Sequence, residues 1–204
     1  MEEKITYFEE SGPDNTEETL KLAVERAKAR GIKKIVLAST RGDTARLAAE
    51  RYADSGIKLV VIPHQYGFGE AQRFPPELVD ELAKKGHRVH FGTMLFHTEN
   101  FYGSKASTTL ANMLRVFCQG MKVCFEIVLM AADGGCVDIG EQVVAVSGSG
   151  RGSDTAVVAI ASTSTKFNEF HLTEIICKPL QTRTFSLGDR PPAPRNAPAQ
   201  TEKK

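Results

Sequence analysis

The sequence predicts an α/β protein: one α/β/α domain over residues 1–188 built on a mostly parallel sheet, followed by a proline-rich tail over 189–204. Three observations predict it. Apolar runs at 35–38 and 59–62 lack polar alternation, the pattern of strands buried on both faces of a parallel sheet. Amphipathic helical segments alternate with these runs through the first half, as in βαβ units. Residues 143–161 read as two apolar segments joined by a glycine-rich loop, a hairpin that gives the sheet an antiparallel edge.

The elements follow in order. Residues 5–8 suit a first short strand, and Asn15-Thr16-Glu17-Glu18 reads as an Asn cap with a Glu three residues later. Leu20, Ala23, Val24 and Ala27 recur at helical spacing until Gly31 ends the helix. Residues 32–38 supply a buried strand, 44–52 a helix and 59–62 the next strand, a βαβ unit. Pro75-Pro76 suits the opening of a helix over 77–84, and 88–91 gives another short strand. Helical periodicity returns at 107–117 and 122–132, with Gly120 placed as the break between them. Strands are expected at 142–146, 156–161 and 171–178, whereas Pro191-Pro192-Ala193-Pro194-Arg195 carries no core-forming residues.

Composition narrows the function classes. With 204 residues, 41% of them hydrophobic, the chain can bury one sizeable core. Its 26 basic and 25 acidic residues are interspersed without a basic stripe, which argues against a nucleic-acid partner. No apolar run approaches the roughly 20 residues that span a bilayer, so no membrane partner is expected. Met-Glu-Glu-Lys-Ile is not a signal peptide, and a cytoplasmic location is expected. Cys118, Cys124, Cys136 and Cys177 form no C-x-x-C pair and read as buried reduced thiols. His87 and His90, three apart on a strand, point to opposite faces and make poor metal ligands; no metal is expected.

Three segments carry chemistry. After the strand at 35–38, Ser39, Thr40, Arg41, Gly42, Asp43 and Thr44 form a hydroxyl-rich turn that opens a helix. Unpaired N–H groups and the positive end of the helix dipole meet there, the ingredients of a phosphate cradle. The alternative is that Asp43 or Thr44 merely caps an ordinary connection. The second segment, Gly148-Ser149-Gly150-Arg151-Gly152-Ser153-Asp154-Thr155, has its glycines at G-x-G-x-G and continues into β-branched sequence, so it cannot be a Rossmann turn, which must open a helix. It reads as an N–H-rich nest able to wrap an anion, or else as a hairpin without a ligand. No Walker lysine and no G-x-S-x-G elbow are present. The third segment is aromatic: Tyr66, Phe68, Phe74, Phe91, Phe96, Phe101 and Tyr102 lie on loops, where rings can hold a flat heterocycle with Gln65, His97 and Asn100 at its edge. His64 is placed for ligand contact in the same loops. The same rings equally suit loop packing or a subunit interface, and a homo-oligomer is expected. Glu126, Asp133 and Asp138 form no recognisable acid/base pair.

The stretch from Ile35 to Ala48 and that from Gly140 to Thr155 together resemble the C-terminal regulatory domain of pyruvate kinase, where a strand ends in a Thr/Ser-x-Ser-Gly-x-Ser-Ala cradle for an effector phosphate. Ser39, Gly42, Thr44 and Ala45 match that cradle, while Thr40, Arg41 and Asp43 depart from it, Asp43 by setting a carboxylate where phosphate would sit. Gly152-Ser153-Asp154-Thr155 stands where the family has a Gly-x-Thr-Asn run. The whole chain, including Asn15-Thr-Glu-Glu-Thr-Leu, Gln119-Gly-Met-Lys-Val and Met130-Ala-Ala-Asp-Gly-Gly, is similar to stand-alone pyruvate-kinase-C-terminal-like proteins of unassigned function. That resemblance implies a three-layer α/β/α sandwich and flavin mononucleotide (FMN) as a non-covalent ligand. Its phosphate would lie between Ser39–Thr44 and Gly148–Thr155, and its ring near His64, Gln65, Tyr66 and Phe68. A flavin-dependent oxidoreductase is one expectation; a module sensing a phosphorylated sugar and an enzyme acting on a phosphorylated metabolite without flavin are the alternatives. The length leaves no room for a catalytic barrel, so pyruvate kinase activity is not expected.

Overall fold

In the computed structural model, which describes residues 2–181, strands and helices alternate through the first half as the sequence predicts. The order is β1 (Thr6–Phe8), α1 (Thr16–Arg30), β2 (Lys34–Ala38), α2 (Asp43–Arg51), β3 (Lys58–Ile62), α3 (Pro76–Lys84) and β4 (Arg88–Val89), then α4 (Glu99–Tyr102), α5 (Ala106–Arg115), α6 (Gln119–Asp133), β5 (Gln142–Ser147), β6 (Thr155–Ile160) and β7 (His171–Pro179). The tail expected at 189–204 and the end of the expected 1–188 domain lie outside the described residues.

The strands form one sheet in the order β1-β7-β6-β5-β2-β3-β4. β2 runs parallel to both β3 and β5, β3 to β4, and β1 to β7. β6 is antiparallel to its two neighbours β5 and β7, so the expected hairpin supplies the antiparallel pairing, with β7 and β1 outboard of it.

Side chains alternate across a strand, and both faces of this sheet are buried. Ile35, Leu37, Val144 and Val146 join Leu20, Ala23, Ala45, Ala48, Leu78 and Leu82 of α1, α2 and α3 in one core. Val36, Val143, Ala145 and Val157 join Met121, Cys124, Ile127 and Val128 of α6 in the other. The unbroken apolar runs that lacked alternation in the sequence are the strands with a core on each side. All four cysteines are buried and free, and burial pushes the Cys177 thiol up to about 12. Among the described residues no helix is long and apolar enough to cross a membrane.

Several local expectations change. Gly120 does not divide two helices: the break falls at 116–118, and Gly120 lies in the first turn of α6, where an added Cβ would sit 2.1 Å from Thr155 Oγ1. Close packing of α6 on the start of β6 is therefore what this glycine permits. The strand expected at 88–91 is only Arg88–Val89, because its partner β3 runs into Pro63, which has no N–H to continue the ladder. Asn15 stands at the N-cap of α1, yet its side chain donates to the Glu10 carbonyl at 2.8 Å instead of capping. Neither Asp43 nor Thr44 caps α2: Gly42 holds the N-cap position, and Ser39 Oγ accepts from the Ala45 N–H at 3.3 Å.

Candidate functional site

β5, β2 and β3 are adjacent and parallel, so the segments that follow them emerge side by side at one end of the sheet. From β2 the chain turns toward β3, and from β5 it turns toward β6. Strand order therefore reverses between β2 and β5, and a crevice opens at the carboxyl ends of strands at such a reversal. A cavity of about 360 Å³ occupies this place.

Its first wall is the turn after β2, contributing Ser39, Thr40, Arg41 and Thr44. Thr40 Oγ1 lies 3.3 Å from His64 Nε2, which ties the turn to the segment after β3. Gly42 and Asp43 do not line the cavity. Gly42 has φ +88°, and an added Cβ would meet Leu78 Cδ2 at 2.4 Å, so the close approach this glycine permits is to α3 and not to a ligand. The Asp43 side chain is exposed to solvent.

The second wall is the loop after β5, contributing Gly148, Gly150, Arg151 and Gly152. Fully buried Asp154 holds this loop: its Oδ2 accepts from the N–H groups of Gly12 and Ser149, both at 3.1 Å, and its Oδ1 accepts from Thr155 Oγ1 at 2.7 Å. Ser153 N–H donates to Thr16 Oγ1 at 3.0 Å. Ser149, Ser153, Asp154 and Thr155 thus brace the loop against the amino-terminal segment and do not line the cavity. Gly148 is pressed against the Gly152 carbonyl, where a Cβ would come within 2.5 Å.

His64, Phe68, Met94, His97, Lys122, Glu126 and Met130 are among the residues that line the remainder. The Phe68 ring stands edge-on to His64 at 4.6 Å and to His97 at 5.2 Å. Gln65 and Tyr66 are outside this set: Gln65 Oε1 accepts from the Met94 N–H at 2.6 Å, and exposed Tyr66 packs against Phe91 at 5.0 Å. Of the other loop aromatics, Phe74 and Phe96 are core, whereas Phe101 and Tyr102 are exposed on α4.

Two features were not named from sequence. Arg73 joins Arg41 and Arg151 on the lining, and among the described residues none of the three guanidinium groups is engaged in a hydrogen bond or ion pair. Lys122 and Glu126 form an ion pair with side chains only 2% and 3% exposed. Burial lowers the Lys122 pKa against the opposing pull of Glu126. His64 and His97 are also held below the ordinary histidine value, chiefly by burial, with Arg73 adding to the effect at His64 and Lys122 at His97. The signal for the ion pair was available: two opposite charges four residues apart in a segment apolar on every side.

An α/β domain with a crevice at the carboxyl ends of three parallel strands is the class that fold and site define. The model of the pyruvate kinase alpha/beta domain matches residues 17–160, and the chain belongs to that family. Among solved structures it is similar to a pyruvate kinase of Cryptosporidium parvum, at 16% identity over 72% of this chain and 23% of that one, with a TM-score of 0.38. It is also similar to Cryptosporidium parvum pyruvate kinase in complex with ADP, at 19% identity, the same coverages and a TM-score of 0.35. The match thus takes in less than a quarter of those chains.

Proposed function

We propose that this domain binds a small phosphorylated ligand in the crevice between β2 and β5, and that the ligand is FMN, held without a covalent bond. The observation that carries the reading is the set of three guanidinium groups, Arg41, Arg73 and Arg151, unpartnered among the described residues, around a cavity also lined by Thr40, Thr44 and Gly150. Arginine without an internal partner beside hydroxyl groups and a helix start is suited to phosphate. The residues fit the group: the cavity volume of about 360 Å³ falls in the range of small-molecule pockets, and Phe68, His64, His97 and Met94 offer ring and thioether surface with polar edges.

In this reading Arg41, Arg151 and the Thr40 and Thr44 hydroxyls hold the phosphate, while Phe68 and the two imidazoles border the ring. A bound flavin supplies one- and two-electron redox chemistry. The protein's own part is to bind, orient and shield it.

Titration of the full chain with FMN and with riboflavin, followed by absorbance and fluorescence, tests the reading. FMN should bind at least about tenfold more tightly than riboflavin, because a charge-assisted contact contributes roughly 1.5–3 kcal/mol. Arg151→Gln should weaken FMN and leave riboflavin unchanged. Equal affinity for the two would remove the cradle from the argument. Failure of both while a sugar bisphosphate binds would favour a module sensing a phosphorylated sugar.

A further inference from the structure

Glu126 uses both carboxylate oxygens internally. Oε1 accepts from the Phe96 N–H at 2.9 Å, and Oε2 receives Lys122 Nζ at 2.5 Å. Lys122 Nζ also lies 3.1 Å from His97 Nε2, and it sits 5.3 Å from the centre of the Phe96 ring. An ammonium has three donors and no acceptor. Nε2 of His97 must therefore be the accepting nitrogen, and the proton of the neutral ring must sit on Nδ1. Among the described residues Nδ1 makes no hydrogen bond, and His97 borders the cavity beside Phe68.

We propose that Glu126, Lys122 and His97 form a fixed relay that holds His97 in the neutral form protonated on Nδ1, making it a hydrogen-bond donor at the ring end of the cavity. Lys122 and Glu126 are positioning residues, and His97 is the group that meets the ligand. A donor at this point selects a ring that presents a carbonyl oxygen or an unprotonated ring nitrogen, and rejects one that presents an N–H. This selection rests on the ligand reading above, while the relay itself does not.

The groups facing His97 are Lys122 and Glu126 on α6, Glu99 on α4 and Arg115 on α5, with His64 across the cavity. Lys122 and Arg115 oppose protonation of the ring, Glu126 and Glu99 favour it, and burial is the largest influence, so the balance keeps His97 neutral.

Nitrogen-15 NMR of the histidine rings in the full chain, without ligand, decides the matter. The expected result is a single neutral His97 form with its proton on Nδ1, persisting below the pH at which free imidazole protonates. Lys122→Met should release the ring to the tautomer mixture of free imidazole. Because that variant strands a buried carboxylate, the double variant Lys122→Met/Glu126→Leu repeats the measurement without it. A proton on Nε2 in the native chain, or an unchanged Nδ1 form in the folded double variant, would overturn the relay. FMN titration then separates the two claims: His97→Phe should weaken FMN by about tenfold, and His97→Gln, which keeps a donor, by much less. Equal losses would overturn the selection, whereas failure of the native chain to bind FMN would overturn the ligand reading and leave the relay to the NMR result.

Discussion

Helices α1 and α6 are each 15 residues long and lie on opposite faces of one sheet, yet they treat charge in opposite ways. α1 buries one stripe and keeps its charges off the core: Lys21 pairs with Glu18 in solvent, while half-buried Arg26 and Arg30 reach Glu174 and Glu3. α6 has no outward face of that kind: α5 packs against it, and Asp133 at its end accepts from Ser164 N–H at 2.8 Å. Both of its internal charges are therefore buried, and they answer each other one turn apart. A pair in water can come and go with little cost. A pair in a core is tolerated only while both members are present.

The sharpest way to break the contrast is to remove one member of the buried pair. Lys122→Met should lower unfolding free energy by about 3–5 kcal/mol, and adding Glu126→Leu should recover most of that or exceed it. Urea denaturation of the single and double variants measures both; equal losses would show that the charges are not what matters. Next in size is Gly120→Ala, where the new methyl group meets Thr155 and should cost about 1–3 kcal/mol, seen as a lower midpoint in thermal melts.

A graded effect should appear with pH. The folded pKa values of His64 and His97 are lowered, so below the ordinary value of about 6.5 the unfolded chain binds more protons than the folded one. Their contribution is fully present above that value and is lost as pH falls toward the folded values. Stability should thus decline on acidification, and His64→Gln/His97→Gln should flatten the slope between pH 7 and 5. The smallest effect belongs to α1: Lys21→Ala should cost only about 0.2–0.5 kcal/mol, and added salt should shrink it further.

The same contrast explains how far the sequence could be read. Residues 35–38 and 59–62 were legible as strands because burial on both faces leaves an unbroken apolar run. The turn after β2 and the loop after β5 could be singled out because hydroxyls and glycines cluster there. The distinction between Ser39, which lines the cavity, and Asp154, which braces a loop, depends on Gly12 and lies more than a hundred residues away. Gln65, expected at the ligand, accepts from the Met94 N–H, a partner no local pattern reveals. Gly120 looked like a helix break because its real neighbour, Thr155, is on another element. Lys122 was not singled out because a lysine in a helix is ordinarily solvated, whereas here Glu126, His97 and the Phe96 ring surround its ammonium.

Asp154 gathers N–H groups from Gly12 and from Ser149 onto one oxygen, which makes the amino-terminal segment a tether for the loop that carries Gly150 and Arg151. Removing the Asp154 carboxylate would release this tether and slacken the rim of the crevice without touching a residue that lines it. The rim of the cavity is thereby anchored from outside, through a segment that β1 fixes against β7.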